Sequence, residues 1–263
     1  MSGRQLRPRM VPLMLVALLA ACGGGAKAPA PTTEAVQESV SDSRYPEAIR
    51  DYMSEWAAVE HSETARSLES LLAAAEAVQD AAMMIDDSQL AWLEQLDDAD
   101  FSRLQADVPG FIFHRGQDIH AEIDGDALLT LAQRKGRPAD QAFFGRFVAA
   151  YNEQALPLYL RFAGGASPCV RFGEPVLLDQ YQGWRSFQQT HAGAYQAFTD
   201  RWLADIEDVM VHGTCTCTQE QSPVEETLAA FNSRFPQNPA ADRIRARLQQ
   251  LEEDPYARPV WCR

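Results

Sequence analysis

The sequence predicts an all-α fold of mostly antiparallel helical hairpins, with a small β-hairpin near residues 110–124 and a disulfide-stapled C-terminal half. Three observations lead to this prediction. Apolar residues recur at helical spacing through most of the chain. One stretch after Pro109-Gly110 lacks that spacing and carries short runs of β-forming residues. Four of the five cysteines lie in the second half of the chain.

The first half is predicted to form amphipathic helices. The strongest pattern covers residues 62–84, where leucine, valine and alanine recur every three to four positions. A helix at residues 125–135 has Asp124 in the position of an N-terminal cap. In the β-hairpin, residues 111–113 and 119–123 are the two strands. Further helices are predicted over residues 46–61, 88–96 and 99–108.

In the second half, residues 139–162 carry a broad band of aromatic and aliphatic side chains. This band predicts one long helix, which Pro157 should kink or divide. A loop over residues 164–173 follows and contains Cys169. Helices are then expected at residues 174–189 and 192–211.

The ends of the last helices are marked by specific residues. His212 suits the negative end of the helix dipole, and Gly213 suits a left-handed stop. A helix at residues 222–235 begins in capping-box form at Ser222, with a proline in its first turn. The final helix is expected over residues 238–253, and an irregular tail follows it.

The N-terminus has the parts of an export signal. Residues 1–9 carry three arginines and no acid, and residues 10–21 are apolar but shorter than the roughly 20 residues that a membrane-spanning helix needs. The apolar stretch ends in Leu19-Ala20-Ala21-Cys22. This motif resembles the lipobox of bacterial lipoproteins. The resemblance implies cleavage before Cys22 and attachment of lipid to its thiol.

The lipobox resemblance implies a membrane location, and composition together with it predicts the domain organisation. Residues 1–21 would be the signal peptide, and residues 22–43, rich in Gly, Ala, Pro, Thr and Ser, a disordered tether. Residues 44–263 would be the folded domain, with a candidate sub-boundary near 136–138. Because residue 23 is Gly rather than Asp, the family's sorting rule implies the outer membrane, with the domain facing the periplasm.

The net negative charge limits the classes of molecule that the chain can bind. The chain has 37 acidic and 23 basic residues and a net charge of −14. An acidic surface of this kind argues against binding to nucleic acid or anionic lipid headgroups. No second apolar run is long enough to cross a membrane, so the predicted membrane contact is the N-terminal lipid alone.

The cysteines beyond Cys22 fit an oxidising compartment, where an even number of cysteines indicates disulfides. If helices 174–189 and 192–211 are antiparallel, Cys169 lies near Cys215 and Cys217. The last helical hairpin returns Cys262 to the same place. We therefore predict that Cys169 pairs with one of Cys215 and Cys217, and Cys262 with the other, with the choice between them open.

Residues 224–251 contain two amphipathic segments joined at Phe235-Pro236. This stretch is similar to the helix pairs of tetratricopeptide-type repeats in envelope lipoproteins. The resemblance covers a single unit, whereas solenoids of this kind need about three. An ordinary helical hairpin is the alternative, and a repeat unit would imply a binding surface rather than a chemistry.

Two groups of side chains are candidate metal ligands. His212, Cys215 and Cys217 have metal-like spacing, and Cys169 and Cys262 could complete a site, but disulfides are the simpler account in an oxidising compartment. His114 and His120 flank the predicted hairpin and can meet across it; two histidines alone make a weak site, and we interpret them as solvated surface residues.

Acidic residues near the hairpin resemble a calcium loop in composition only. Asp118, Glu122, Asp124 and Asp126 do not have the spacing of that loop, because Ile123 interrupts the acids and Gly125 is misplaced. We therefore predict no resident metal or cofactor.

The chain lacks the sequence motifs of serine hydrolases, zinc proteases and dinucleotide-binding enzymes. The sequence thus favours a non-enzymatic protein-binding or scaffold lipoprotein of the cell envelope, with an envelope protein as its partner. The alternative is a periplasmic enzyme or metal-binding protein that assembles its site from scattered residues.

Overall fold

The computed structural model describes residues 45–85, 90–116, 119–152, 155–162, 167–213, 215–218 and 220–253. Within them it contains ten α-helices and two separate two-stranded antiparallel sheets, which confirms the predicted fold class. In chain order the elements are α1 (Glu47–Glu60), α2 (Glu69–Ala82), α3 (Trp92–Gln95), α4 (Asp98–Asp107), β1 (Phe111–Arg115), β2 (Ile119–Ile123), α5 (Gly125–Lys135), α6 (Pro138–Val148), β3 (Leu160–Phe162), β4 (Pro168–Val170), α7 (Val176–Thr190), α8 (Gln196–His212), α9 (Ser222–Arg234) and α10 (Ala241–Glu253).

Helices adjacent in sequence pack in pairs: α1 with α2, α5 with α6, α7 with α8, and α9 with α10. The β1–β2 hairpin lies against α2, and α10 also contacts α8. One hydrophobic core extends through all these elements, and its largest fully buried side chains include Trp184, Tyr181, Phe143 and Phe144. No helix among the described residues is both long enough and apolar enough to cross a membrane.

The β-hairpin and the helix that follows it agree with the sequence prediction. Strands β1 and β2 pair antiparallel from Phe111 opposite Ile123 to Arg115 opposite Ile119. The side chain of Asp124 accepts a hydrogen bond from the Ala127 amide at 3.0 Å and so caps α5. Gly110, before β1, has φ +76°, and a Cβ there would lie 2.5 Å from the Tyr52 hydroxyl, so this turn requires glycine.

The predicted helix at residues 62–84 is shorter in the structure, because α2 begins only at Glu69. Residues 62–68 are instead held by a distant part of the chain. Arg66 forms a parallel bridge with Gly136, and the Leu68 amide donates to the Asp140 carboxylate at 2.9 Å. These long-range hydrogen bonds outweigh the local helical pattern.

The prediction of one helix over residues 139–162 is wrong. Helix α6 ends at Val148, and the chain then forms β3, which pairs with β4 inside the predicted 164–173 loop. Asn152 fixes the turn between α6 and β3. Its carboxamide accepts from the Leu156 amide and donates to the Leu160 carbonyl, each at 3.2 Å. Pro157 lacks an amide hydrogen and disfavours helix in the residue before it.

The predicted start of α8 and the predicted conformation at its end are both wrong. The helix begins at Gln196 rather than at residue 192, because residues 192–195 form a turn in which Tyr195 adopts left-handed backbone angles. Gly213 has φ −57°, so the predicted left-handed stop is wrong. The buried Arg247 of α10 donates instead to the carbonyls at this end of α8.

Helix α9 begins at Ser222, as predicted, and has Pro223 in its first turn. The predicted capping box is wrong, since no side chain caps this end and the Ser222 hydroxyl donates to Glu226 one turn later. Helices α9 and α10 form a helical hairpin, and the likeness of this pair to a tetratricopeptide-type unit stays a prediction.

A disulfide joins Cys169 to Cys217, with a Cα–Cα distance of 5.0 Å, which confirms the Cys169 half of the predicted pairing. The Cys215–Cys217 segment runs beside β4: the Val170 amide donates to the Cys215 carbonyl, and the Cys217 amide to the Val170 carbonyl. The bridge spans 48 residues of sequence, which is worth about 4 kcal/mol in the chain-entropy model. Cys215 is also disulfide-bonded. Cys262, Cys22, the signal peptide and the tether lie outside the described residues.

Candidate functional site

A cleft of about 1130 Å³ opens between the β1–β2 hairpin, the end of α2 and the chain that follows α6. Its walls come from segments far apart in sequence, and much of one wall belongs to the 149–162 region that the sequence predicts incorrectly. The residues that line it are Glu76, Gln79, Met83, Ile112, Ile119, His120, Ala121, Glu122, Ile123, Asp124, Gly125, Asp126, Phe147, Val148, Tyr151, Asn152, Ala155, Leu156, Phe162 and Phe198.

Aromatic side chains form part of the cleft wall. The Phe147 ring lies 5.0 Å from the Tyr151 ring and 5.7 Å from the Phe198 ring. Burial raises the pKa of Tyr151 above its usual value, so its hydroxyl stays protonated at neutral pH. This wall is uncharged and largely apolar, and it is continuous with the aromatic core around Phe143 and Trp184.

The cleft also exposes three large apolar side chains. Met83, Ile112 and Phe162 are 48%, 41% and 43% exposed, although each comes from a different element. Scattered apolar residues are ordinary on a protein surface, but several around one concavity mark a place where another molecule can dock.

The charged groups of the cleft are acidic. Glu76 forms an ion pair with Arg201, Glu122 lies 3.1 Å from the His114 imidazole, and Asp124 caps α5. Asp126 is exposed at the rim. No lysine or arginine is among the described residues that line the cleft, so its potential favours a cationic ligand.

The outer face of the hairpin brings two histidines and a carboxylate together. His114 lies directly opposite His120, and their rings stack with centroids 4.3 Å apart. Glu122 follows His120 on the same face of β2 and completes a three-residue cluster whose ligand atoms lie within 4.8 Å of one another. All three side chains are half-buried.

From the sequence, His114 and His120 are predicted to meet across the hairpin, whereas Glu122 is considered only among the acids that resemble a calcium loop. Strand alternation combined with the hairpin register could have predicted the cluster, because residues 120 and 122 share a face of β2 and residue 114 lies opposite residue 120.

The other candidate ligands are used elsewhere. Cys169 and Cys217 bond to each other and Cys215 is disulfide-bonded, so these sulfurs are not free thiolates. His212 pairs with Asp208 one turn back on α8, with a nitrogen–oxygen distance of 2.8 Å. In the calcium-like set, Asp118 lies outside the described residues.

No known protein family matches the chain, and neither curated proteins nor solved structures give a significant match to it.

Proposed function

We propose that this chain is a lipid-anchored lipoprotein of the outer membrane that faces the periplasm and binds a protein partner without catalysis. The cleft carries the proposal, because it joins an apolar wall, three exposed apolar side chains and an acidic rim in one concave surface. Such a surface fits the amphipathic segment of another protein.

The state of three polar groups in the cleft, those of Asp124, Glu76 and Tyr151, favours binding over catalysis. A catalytic acid or base has to reach the substrate with its proton-transferring atom. In this cleft Asp124 is engaged as a helix cap, and Glu76 is engaged with Arg201. The Tyr151 hydroxyl is held protonated by burial. These groups shape the surface and set its charge.

The chemistry of the cleft defines the occupant. Its aromatic and aliphatic wall is complementary to a strip of apolar side chains, and Glu122, Asp124 and Asp126 at the rim are complementary to lysine or arginine. We therefore propose a cationic amphipathic helix of an envelope protein as the partner segment. The net charge of −14 would favour its approach over longer distances.

Site-specific photocrosslinking tests the cleft. A photoreactive amino acid at Phe162 or at Ile112, in the lipidated chain in its own membrane, is expected to give the same discrete protein adduct. The yield should fall as ionic strength rises, because salt screens the acidic rim. Phe162→Ser and Ile112→Ser are expected to weaken binding of that protein at least about tenfold, as loss of a buried apolar contact predicts.

Leu90 supplies the matched control. It is 45% exposed, close to the value for Phe162, but it does not line the cleft. A photoreactive residue at Leu90 should give no such adduct, and Leu90→Ser should bind normally. An equal adduct from Leu90, or no discrete adduct from either cleft position, would overturn the proposed binding surface.

Membrane localisation is tested separately, by fatty-acid labelling and fractionation in an enterobacterial host. Cys22→Ser removes the thiol that would carry lipid, so we expect this chain to lose labelling by radioactive fatty acid and to keep its signal peptide. Gly23→Asp keeps the thiol and should move the protein from the outer to the inner membrane fraction, as the lipoprotein sorting rule implies. Labelling of the Cys22→Ser chain equal to that of the unchanged chain would contradict lipid attachment at this residue.

A further inference from the structure

We infer that His114, His120 and Glu122 form a binding site for a divalent transition-metal ion of the Zn²⁺ or Cu²⁺ class. The hairpin places these three groups on one face without help from any other element. This inference does not rest on the proposed partner binding, but the two share side chains: His120 and Glu122 also line the cleft, so a bound ion would take Glu122 from a cationic partner.

The distances are close to those of a three-ligand site. In a tetrahedral zinc site, ligand atoms about 2.0–2.1 Å from the metal lie roughly 3.3–3.5 Å from each other. The Nε2 atom of His114 is already 3.1 Å from Glu122 Oε2, and the ligand atoms of all three groups lie within 4.8 Å. We expect rotation of the two stacked rings about their side-chain bonds to close this difference.

The backbone under the site is held in place. Glu122 pairs with Ile112 and His120 with His114 in alternate rungs of the ladder, with the inward-facing Phe113–Ala121 pair between them. On the inner face, Phe111 and Phe113 stack 5.5 Å apart in the core, and Gln79 of α2 donates to the Ala121 carbonyl at 3.0 Å. The strands therefore present the ligands at fixed spacing, which lowers the ordering cost of binding.

The donor set selects the ion. Two imidazoles and one carboxylate suit Zn²⁺ and Cu²⁺, whereas Ca²⁺ and Mg²⁺ prefer oxygen ligands alone and more of them. With three protein ligands, a fourth position stays open to water or to a group of a bound molecule. The ion would also place positive charge beside an otherwise acidic rim.

A purely structural role for the cluster makes a different prediction. A His114–Glu122 hydrogen bond and a stacked histidine pair would stabilise the hairpin equally with and without metal. The measurement must therefore compare metal binding with stability in the presence of chelator.

Calorimetric titration of the full, untagged, oxidised chain with ZnCl₂ and with CuCl₂ tests the site. We expect saturable binding of one ion per chain, a higher unfolding temperature with metal, and reversal by chelator. His114→Gln, His120→Gln and Glu122→Gln should each lower the affinity by about 10–100-fold or more, because each removes a direct ligand. NMR of the wild-type imidazoles should show metal-dependent shifts of His114 and His120, and this readout needs no variant to fold.

His212→Gln is the matched control, since His212 also pairs with a carboxylate but has no second histidine beside it. It should leave the affinity unchanged, and CaCl₂ and MgCl₂ should not compete. Any of three results would overturn the inference. The first is the absence of saturable binding together with imidazole signals that do not shift. The second is a loss of affinity in His212→Gln equal to that in the ligand variants, and the third is binding of Ca²⁺ as tight as that of Zn²⁺, which would indicate the acidic surface alone.

Discussion

Arg247→Met is expected to lower the free energy of unfolding by about 3–5 kcal/mol, a loss at the upper end for one substitution. The guanidinium of Arg247 is buried and donates to the carbonyls of Val209 at 3.1 Å, Met210 at 2.7 Å and Gly213. The last four carbonyls of a helix have no partner within the helix. Arg247 supplies donors to two of those in α8 and adds positive charge at the negative end of its dipole.

Methionine fills most of the same volume but cannot donate, so the Met210 and Gly213 carbonyls lose the guanidinium, while the Val209 carbonyl keeps the Gly213 amide. Each unsatisfied buried group costs about 1–3 kcal/mol. Arg247 also lies over the Phe172 ring, 5.6 Å from its centroid, and so links α10 to the segment before α7. Arg247→Lys should recover part of the loss, because an ammonium keeps the charge without the fork of donors.

Arg245→Met on the same helix is the control. Arg245 is exposed and pairs with Asp242 three residues earlier, so we expect its replacement to change stability by less than about 1 kcal/mol. Denaturant unfolding with the disulfide intact measures both variants. If Arg247→Met unfolds at the same denaturant concentration as Arg245→Met, then Arg247 does not hold the end of α8.

The sequence indicates that Arg247 is buried, although at the end of α8 it suggests a left-handed glycine stop rather than an arginine from another helix. Ile244, Leu248 and Leu251 predict the buried face of the last helix, and Arg247 lies on that same face. An arginine within an apolar stripe needs polar partners inside the protein. The partners themselves are 34–38 residues earlier, so local patterns cannot identify them.

Local signals predict the elements that depend on local interactions. The Asp124 cap, the break at Pro109-Gly110 and the short strand at residues 119–123 each depend on a few residues, and the structure contains all three. The position of Cys169 near Cys217 follows from one antiparallel helix pair, which the contacts between α7 and α8 bear out.

Local signals fail where a side chain or a distant segment competes with the helix. The apolar band of residues 139–162 is real, and Phe143, Phe147 and Tyr159 are all buried. Asn152 nevertheless satisfies the amide and carbonyl of neighbouring residues outside a helix, and the chain buries its later aromatic residues by turning. The cleft depends on this turn, which is why the sequence predicts the hairpin but not the site beside it.

Asp140→Asn is expected to destabilise the protein by about 2–4 kcal/mol, and Asp140→Ala by about 3–5 kcal/mol. The carboxylate is buried at the start of α6 and accepts three hydrogen bonds: from the Leu68 amide at 2.9 Å, the Arg137 amide at 2.7 Å and the Tyr195 hydroxyl at 2.5 Å. It thus joins the segment before α2, the start of α6 and the turn before α8.

Asparagine has nearly the same shape but carries a donor on one side. Asp140 Oδ1 accepts from Leu68 and Tyr195, while Oδ2 accepts from Arg137. Either orientation of an asparagine amide therefore points its NH₂ group at a buried N–H donor. The chain cannot restore all three hydrogen bonds, which is why even this conservative substitution should be costly.

Tyr195 gives the cluster a signature at high pH. Burial, and then the hydrogen bond to Asp140, raise the pKa of the Tyr195 hydroxyl well above its usual value. A raised pKa in the folded state means that its contribution to stability is fully present below the unfolded value of about 10 and is lost as pH rises further. Tyr195→Phe should therefore reduce the loss of stability above about pH 10, to which other buried tyrosines with a raised pKa, such as Tyr52, also contribute.

Asp97 is the control for Asp140, because it also caps a helix but is exposed. Its side chain accepts one hydrogen bond, from the Asp100 amide at 2.8 Å, at an exposed helix start. Asp97→Ala should cost about 1 kcal/mol, the usual value for such a cap. Denaturant unfolding of both series separates the two roles: equal losses at Asp97 and Asp140 would mean that Asp140 acts as an ordinary cap, whereas a larger loss at Asp140 measures its links to Leu68 and Tyr195.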